Sequence, residues 1–239
     1  MEPDVVQRVL DLNATFYQVN AVAFADTRRR PQPGVCAVVE AIEPSASILD
    51  VGCGHGLVAG QLHRQGHSGG YTGIDSSPQL LALAAQSVPT QGFAFHRADL
   101  AAADWPQRLS QTYQVILAFA VLHHLPGEPM RQRVASSLAK LLTEDGRIEV
   151  SVWNFLELPR LRQRIVPWKR LGLADDQVDP DDYLLDWRHA GRGLRYVHTF
   201  TPASLGQLAA HAGLMASDGR FSDGENGRLG LYQRWSLAA

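Results

Sequence analysis

Cysteine is scarce in this 239-residue chain, which has two, Cys36 and Cys53. Two thiols cannot build the disulfide framework of a small secreted domain, and no paired Cys/His spacing marks a tetrahedral metal site. The expectation is therefore a reducing, cytoplasmic setting with no metal. Long apolar runs are missing as well. Nothing approaches the roughly 20 residues that cross a bilayer, and Met1-Glu2-Pro3-Asp4 has neither the basic start nor the apolar core of an export signal. Charge of one sign is not in excess: 22 Lys+Arg stand against 24 Asp+Glu, so any nucleic-acid contact must come from local patches. What is present is 45% hydrophobic residues, ample core for one α/β domain with or without a sizeable insertion.

The organising stretch is Ile48-Leu49-Asp50-Val51-Gly52-Cys53-Gly54-His55-Gly56. Its apolar lead, its alternate glycines and the apolar positions Leu57, Val58 and Leu62 after them predict a strand, a tight turn and a helix. Glycine tolerates positive φ and lets the backbone reach a ligand. The free N–H groups of the helix start complete a corner for a nucleotide-like molecule. The spacing is not the G-x-G-x-x-G of dinucleotide sites. Asp50, two residues ahead of the first glycine, disfavours a pyrophosphate there and suits a cofactor with a cationic centre and an ammonium group.

The chain around that turn alternates helices and strands. A helix with Val5, Val9 and Leu12 on one face continues towards Phe24, and a second spans 35–42. Residues 70–75 predict a strand ending at Asp75, about twenty residues past the turn, where a carboxylate can accept hydrogen bonds from both ribose hydroxyls. Ser77-Pro78 caps a helix over 79–86. A third strand, 93–97, leads to Asp99, placed for an adenine amino group, and Leu100, placed to flank the ring. The continuous apolar run 113–119 reads as a central buried strand emptying into 120–126 at the carboxyl edge of the sheet. A helix stripe (Met130, Val134, Leu138, Leu141, Leu142), a strand over 147–153, a capped helix over 201–213 and strands near 214–221 and 228–235 complete a doubly wound sheet. Residues 154–198 break the rhythm, with Arg160, Arg162, Arg164, Arg188, Arg192 and Arg195 among aromatics and acids, and read as a substrate-facing cap.

The glycine turn followed by Asp75, Asp99 and Val121-Leu122-His123-His124-Leu125 resembles the class I S-adenosylmethionine methyltransferases. Phe24-Ala25-Asp26-Thr27-Arg28, Val152-Trp153-Asn154, Asp182-Tyr183-Leu184-Leu185-Asp186-Trp187 and Arg195-Tyr196-Val197-His198 are similar to segments of the tRNA wobble-uridine methyltransferases that esterify 5-carboxymethyluridine. The resemblance implies an α/β fold: a Rossmann-like, doubly wound class I methyltransferase sheet of seven strands, the last antiparallel, with an inserted cap. It implies one domain over 1–239, made of an N-terminal substrate-side segment (1–46), a cofactor-binding core (47–153), the cap (154–198) and a C-terminal completion of the sheet (199–239). S-adenosyl-L-methionine is the implied cofactor, held by Asp50, Gly52, Cys53, Gly54, Gly56, Asp75, Ser76, Asp99, Leu100, Ala118 and His123. Arg28, His124 and Arg195 occupy positions tied to substrate handling. tRNA is the implied substrate, and a small zinc-binding activator protein an implied partner.

Two chemistries follow. A carboxylate acceptor is already ionised at neutral pH, needs no base, and needs a cationic clamp that Arg28 and Arg195 can provide bidentately. A phenol or hydroxyl needs a base, for which His124 is the candidate. A small-molecule O-methyltransferase on the same core, or a non-catalytic cofactor-binding scaffold, are the other readings.

Overall fold

A computed structural model describes residues 1–89, 91–188 and 193–238; Arg192 lies outside the described residues. The first helix, α1 (Pro3–Asp26), starts on a proline at its first position, carries Asp4 in its first turn, and buries Val5, Val9, Asn13 and Phe16 along one stripe. It runs unbroken as far as the sequence pattern allows. After α2 (Pro33–Glu40) come β1 (Ile48–Val51), α3 (Leu57–Arg64), β2 (Tyr71–Asp75), α4 (Pro78–Ser87), β3 (Phe93–Arg97), β4 (Tyr113–Phe119), α5 (Glu128–Lys140) and β5 (Leu142–Trp153). The Ser77 hydroxyl accepts from Leu80 N–H at 3.3 Å, so the expected cap of α4 forms. Strands β1 to β5 pair in parallel, in the order β3-β2-β1-β4-β5. Helices cover both faces of this sheet, which is why β1 is buried along its whole length.

The chain then leaves the sheet for α6 (Pro159–Arg162) and three short strands, β6 (Ile165–Val166), β7 (Asp182–Trp187) and β8 (Gly193–His198). These form a small antiparallel sheet in the order β6-β7-β8. Val5 and Val9 of α1 share one apolar cluster with Trp168, Leu173, Leu184 and Tyr196 of this segment. Asn13 adds a polar clip: its Oδ1 accepts from Tyr196 N–H at 2.9 Å.

The chain returns through α7 (Pro202–His211), whose Thr201 and Ser204 cap each other reciprocally. It finishes with β9 (Leu214–Ala216), β10 (Arg220–Ser222) and β11 (Gly230–Leu237). Strand β11 lies antiparallel to β5, which gives the expected sheet with its last strand reversed. One expectation is corrected. A single strand over 214–221 is read from the sequence, but two short runs, β9 and β10, pair with different ends of β11. The cause is local: the Ser217 hydroxyl, not a backbone carbonyl, accepts from Arg234 N–H at 3.0 Å, and the ladder stops there. Among the described residues no helix is long and apolar enough to cross a membrane.

Candidate functional site

A cleft of about 820 Å³ opens at the carboxyl ends of β1, β2, β3 and β4 and runs under α1 and the small antiparallel sheet. That is where an open parallel sheet leaves room for a ligand. Its lower wall is the glycine turn. Gly52 and Gly54 have φ of +72° and +56°. A Cβ on Gly52 would lie 2.3 Å from Val121 Cγ2, whereas one on Gly54 would meet nothing within 4 Å. Gly52 is thus required by packing, and Gly54 borders open space in the cleft. Gly52→Ala is expected to cost about 2–5 kcal/mol of stability in urea unfolding. Gly54→Ala is expected to spare more of the stability and to weaken cofactor binding, read by calorimetry.

The same end of the cleft is acidic. Asp50 is 2% exposed, accepts from the Tyr71 hydroxyl at 2.7 Å, and is pushed up to about 7 by burial, with Asp75 adding to the rise. Asp75 accepts from Gly54 N–H at 2.9 Å and from Ser77 N–H at 2.8 Å, which fixes its carboxylate at the tip of β2. Burial raises its pKa while those backbone donors oppose the rise. Asp99 is held by Ala101 N–H at 2.9 Å, with Leu100 beside it. Cys53, Ser76, Asp99 and Leu100 all line the cleft. Two neighbouring carboxylates whose pKa values burial raises are a setting that a cation improves.

The opposite end is basic and aromatic. Arg195 of β8 is 5% exposed, and its guanidinium carbon stands 4.9 Å from the Phe16 ring, 4.9 Å from Trp153 and 4.8 Å from Trp187. Its Nε and Nη1 have no hydrogen-bond partner among the described residues. Arg28, just past α1, lies over Phe24 at 3.8 Å; burial chiefly, and Arg195 in addition, lower it to about 10, so it stays charged at neutral pH. Arg28 is steadied from the glycine turn, because His55 Nε2 sits 2.9 Å from the Arg28 carbonyl and must donate to it. The structure therefore brings both arginines of the sequence reading to one place.

The histidine pair behaves differently from expectation. His124 Nδ1 is 3.0 Å from the Tyr196 carbonyl, so it carries the proton, and Nε2 accepts from the Tyr17 hydroxyl at 2.9 Å. Burial, with Arg195 adding to it, lowers His124 to about 3. It lines the cleft, but both ring nitrogens are engaged, so the base role expected of it has no free lone pair to work with. His123 is corrected more fully. It is 0% exposed, stacks on Trp153 with ring centres 5.4 Å apart, accepts from Trp153 N–H at 3.2 Å, and does not line the cleft. Ala118 is core within β4. Gly56 starts α3 where a Cβ would lie 3.0 Å from Ala84 of α4, a helix-packing position away from the cleft.

Sequence reasoning missed Tyr17, His55 and the aromatic box. Tyr17 and Phe16 carry only a helix-face signal, and nothing in their spacing ties residue 16 to residues 153 and 187. Ala120, at the end of β4 on the cleft, is held at φ +55°, a strained backbone that no sequence pattern announces.

A family model described as a methyltransferase domain matches residues 24–216. Trans-aconitate 2-methyltransferase of Escherichia fergusonii is 32% identical over 148 residues, 62% of this chain and 55% of that protein. The protein of the same name from Streptomyces avermitilis is 39% identical over 108 residues, 43% of this chain and 39% of that protein. The chain thus spans 55% and 39% of the length of these two curated relatives. A solved structure of Burkholderia thailandensis 1,6-didemethyltoxoflavin-N1-methyltransferase, with 1,6-didemethyltoxoflavin and S-adenosylhomocysteine bound, shares the fold: TM-score 0.62 at 18% identity, covering 99% of this chain and 89% of that one. With the matched model covering most of its length, the chain belongs to the methyltransferase-domain family.

Proposed function

We propose that this protein transfers a methyl group from S-adenosyl-L-methionine to a carboxylate oxygen of a small organic acid. One observation carries the reading: a buried guanidinium, boxed by three aromatic rings and left with two unpaired donors, faces the cleft whose far end is acidic. Unpaired buried N–H groups on a cation call for an oxyanion. The cofactor fits the other end. Asp50 would face its positive groups, Asp75 its ribose, Asp99 its adenine amino group, and Gly54 would leave it room. Bound there, S-adenosylmethionine supplies a methyl carbon on a cationic sulfur, transferable to an ionised carboxylate with no proton changing hands. The protein's own contribution is then position: Arg195 and Arg28 orient the carboxylate, and the aromatic rings exclude water from it.

The likeness to the wobble-uridine enzymes and the trans-aconitate relatives point to the same acceptor atom on different molecules. Identity at the level of a third with the trans-aconitate proteins, and a cleft of about 820 Å³ running under α1, favour the small acid. The test is incubation of purified protein with methyl-labelled cofactor and, separately, small mono- and dicarboxylic acids, phenols, and bulk tRNA with and without a small zinc-binding partner protein. Mass spectrometry should find label in base-labile methyl esters of small acids; label in a phenol ether or in tRNA alone would overturn the proposal. A carboxylate acceptor also predicts a kcat, measured at saturating cofactor, that is flat between about pH 6 and 9. His124, lowered to about 3, stays neutral throughout, and burial lowers His123 as well. A bell with a limb near pH 6–7 in kcat would point to a working base.

A further inference from the structure

The acidic end of the cleft is matched to one ligand, but the basic end holds more positive charge than one carboxylate can balance. Neither Arg195 nor Arg28 forms an ion pair among the described residues, and of the four other arginines lining the cleft, Arg30, Arg97 and Arg160 are exposed whereas Arg164 is half-buried. Arg164 sits in the turn between α6 and β6, held at both ends of its backbone: its N–H donates to Leu161 O at 2.9 Å and its carbonyl accepts from Asp186 N–H at 2.8 Å. The carboxylate of Asp186 pairs with Arg188 at 2.7 Å and forms no ion pair with Arg164 among the described residues. The neighbouring Arg160 has a partner, Glu225, at 3.0 Å, and both are largely exposed. Arg164 therefore presents an unpaired charge to the cleft among the described residues, close enough to Arg195 that its field adds to the burial lowering that group.

We infer that the acceptor carries a second anionic group, and that Arg164 receives it while Arg195 and Arg28 hold the carboxylate to be esterified. This rests on the carboxylate reading above. The shared chemistry is an oxyanion, which can be a second carboxylate on a small acid or a phosphate on a nucleotide. In either case the substrate is esterified once, at the group in the aromatic box, because the two anions sit in unlike surroundings.

The test uses matched pairs. Crotonate and fumarate differ by one carboxylate; a 5-carboxymethyluridine nucleoside and its 5′-monophosphate differ by one phosphate. For wild type, Arg164→Gln and Arg164→Lys, kcat/KM is measured with each, and binding is measured by calorimetry in the presence of S-adenosylhomocysteine. In wild type the doubly anionic member of one pair should lead by about 10- to 100-fold, carried by KM. Arg164→Gln should bring the ratio near one, and Arg164→Lys should keep part of it. The pair that shows the preference identifies the second anion's source. A wild-type ratio near one in both pairs, in turnover and in binding, overturns the inference with the carboxylate reading intact. A ratio that survives Arg164→Gln overturns the assignment of Arg164. Preferential binding of the doubly anionic member with no ester formed on any acid would support the second site and sink the proposed reaction instead.

Discussion

Replacing Arg195 with alanine is expected to lower kcat/KM for the acid by about 10²–10³-fold, since it removes a desolvated, charge-assisted clamp on the reacting group. Cofactor affinity should hold, because the acidic wall stands at the other end of the cleft. Arg195→Lys should recover only a fraction: lysine keeps the charge but loses the planar fork and the stacking on Phe16, Trp153 and Trp187. The decisive companion is Arg195→Met. A buried guanidinium with two unpaired N–H groups costs desolvation that its contacts with three rings and Tyr17 return only in part. A methionine of similar length should pack among the three rings and leave the melting temperature unchanged or raised. Activity lost while stability is kept or gained marks a group retained for its ligand. A large fall in melting temperature with Arg195→Met would mark it as structural instead.

The second large effect concerns Asp50. Burial raises its pKa from 3.8 to about 7, equivalent to on the order of 4 kcal/mol. The sign follows from linkage. For a carboxyl whose folded pKa is raised, the stabilising contribution is complete below the unfolded value near 4 and is lost as pH rises through about 7. The cofactor-free protein should therefore melt progressively lower between about pH 4 and 7 on this group's account. A cationic ligand reverses the preference, since proton and cation compete for the same carboxylate. S-adenosylmethionine affinity should rise with pH, up to about tenfold per unit, until it levels off above about 7. S-adenosylhomocysteine, lacking the sulfonium, should show the shallower slope. Asp50→Asn should weaken S-adenosylmethionine binding by about 10²-fold or more and yet raise the cofactor-free melting temperature at pH 8. Equal affinity in variant and wild type across that range would remove Asp50 from the site.

Much of this was legible because the parallel core repeats one local rule. Each of β1 to β4 is a short strand that leads into a turn or an acid, and each acid lies where the sheet opens. Asp50, Asp75 and Asp99 could be read from position alone. Arg28 and Arg195 were reached through their motif positions, but their common environment was not. The box draws Phe16 from α1, Trp153 from the end of β5 and Trp187 from the end of β7, contacts made in three dimensions with no period to betray them. His124 shows the reverse failure. Its position was read correctly and its chemistry was not, because its tautomer is set by Tyr17 and a backbone carbonyl on β8, both remote in the chain. The break between β9 and β10 escaped for the smallest reason, a serine hydroxyl standing in for one carbonyl.

The shared interior of α1 and the small antiparallel sheet sorts the molecule by task. Phe16, Tyr17, Trp187 and Arg195 are all mounted on that joined unit, with Arg164 in the turn leading into it, while Asp50, Gly54, Asp75 and Asp99 belong to the parallel sheet. Neither the helix nor the three strands owns a complete acceptor wall. On the carboxylate reading, re-engineering this protein for a new acid would mean transplanting both pieces together, hydrophobic seam included, onto a parallel sheet that need not change.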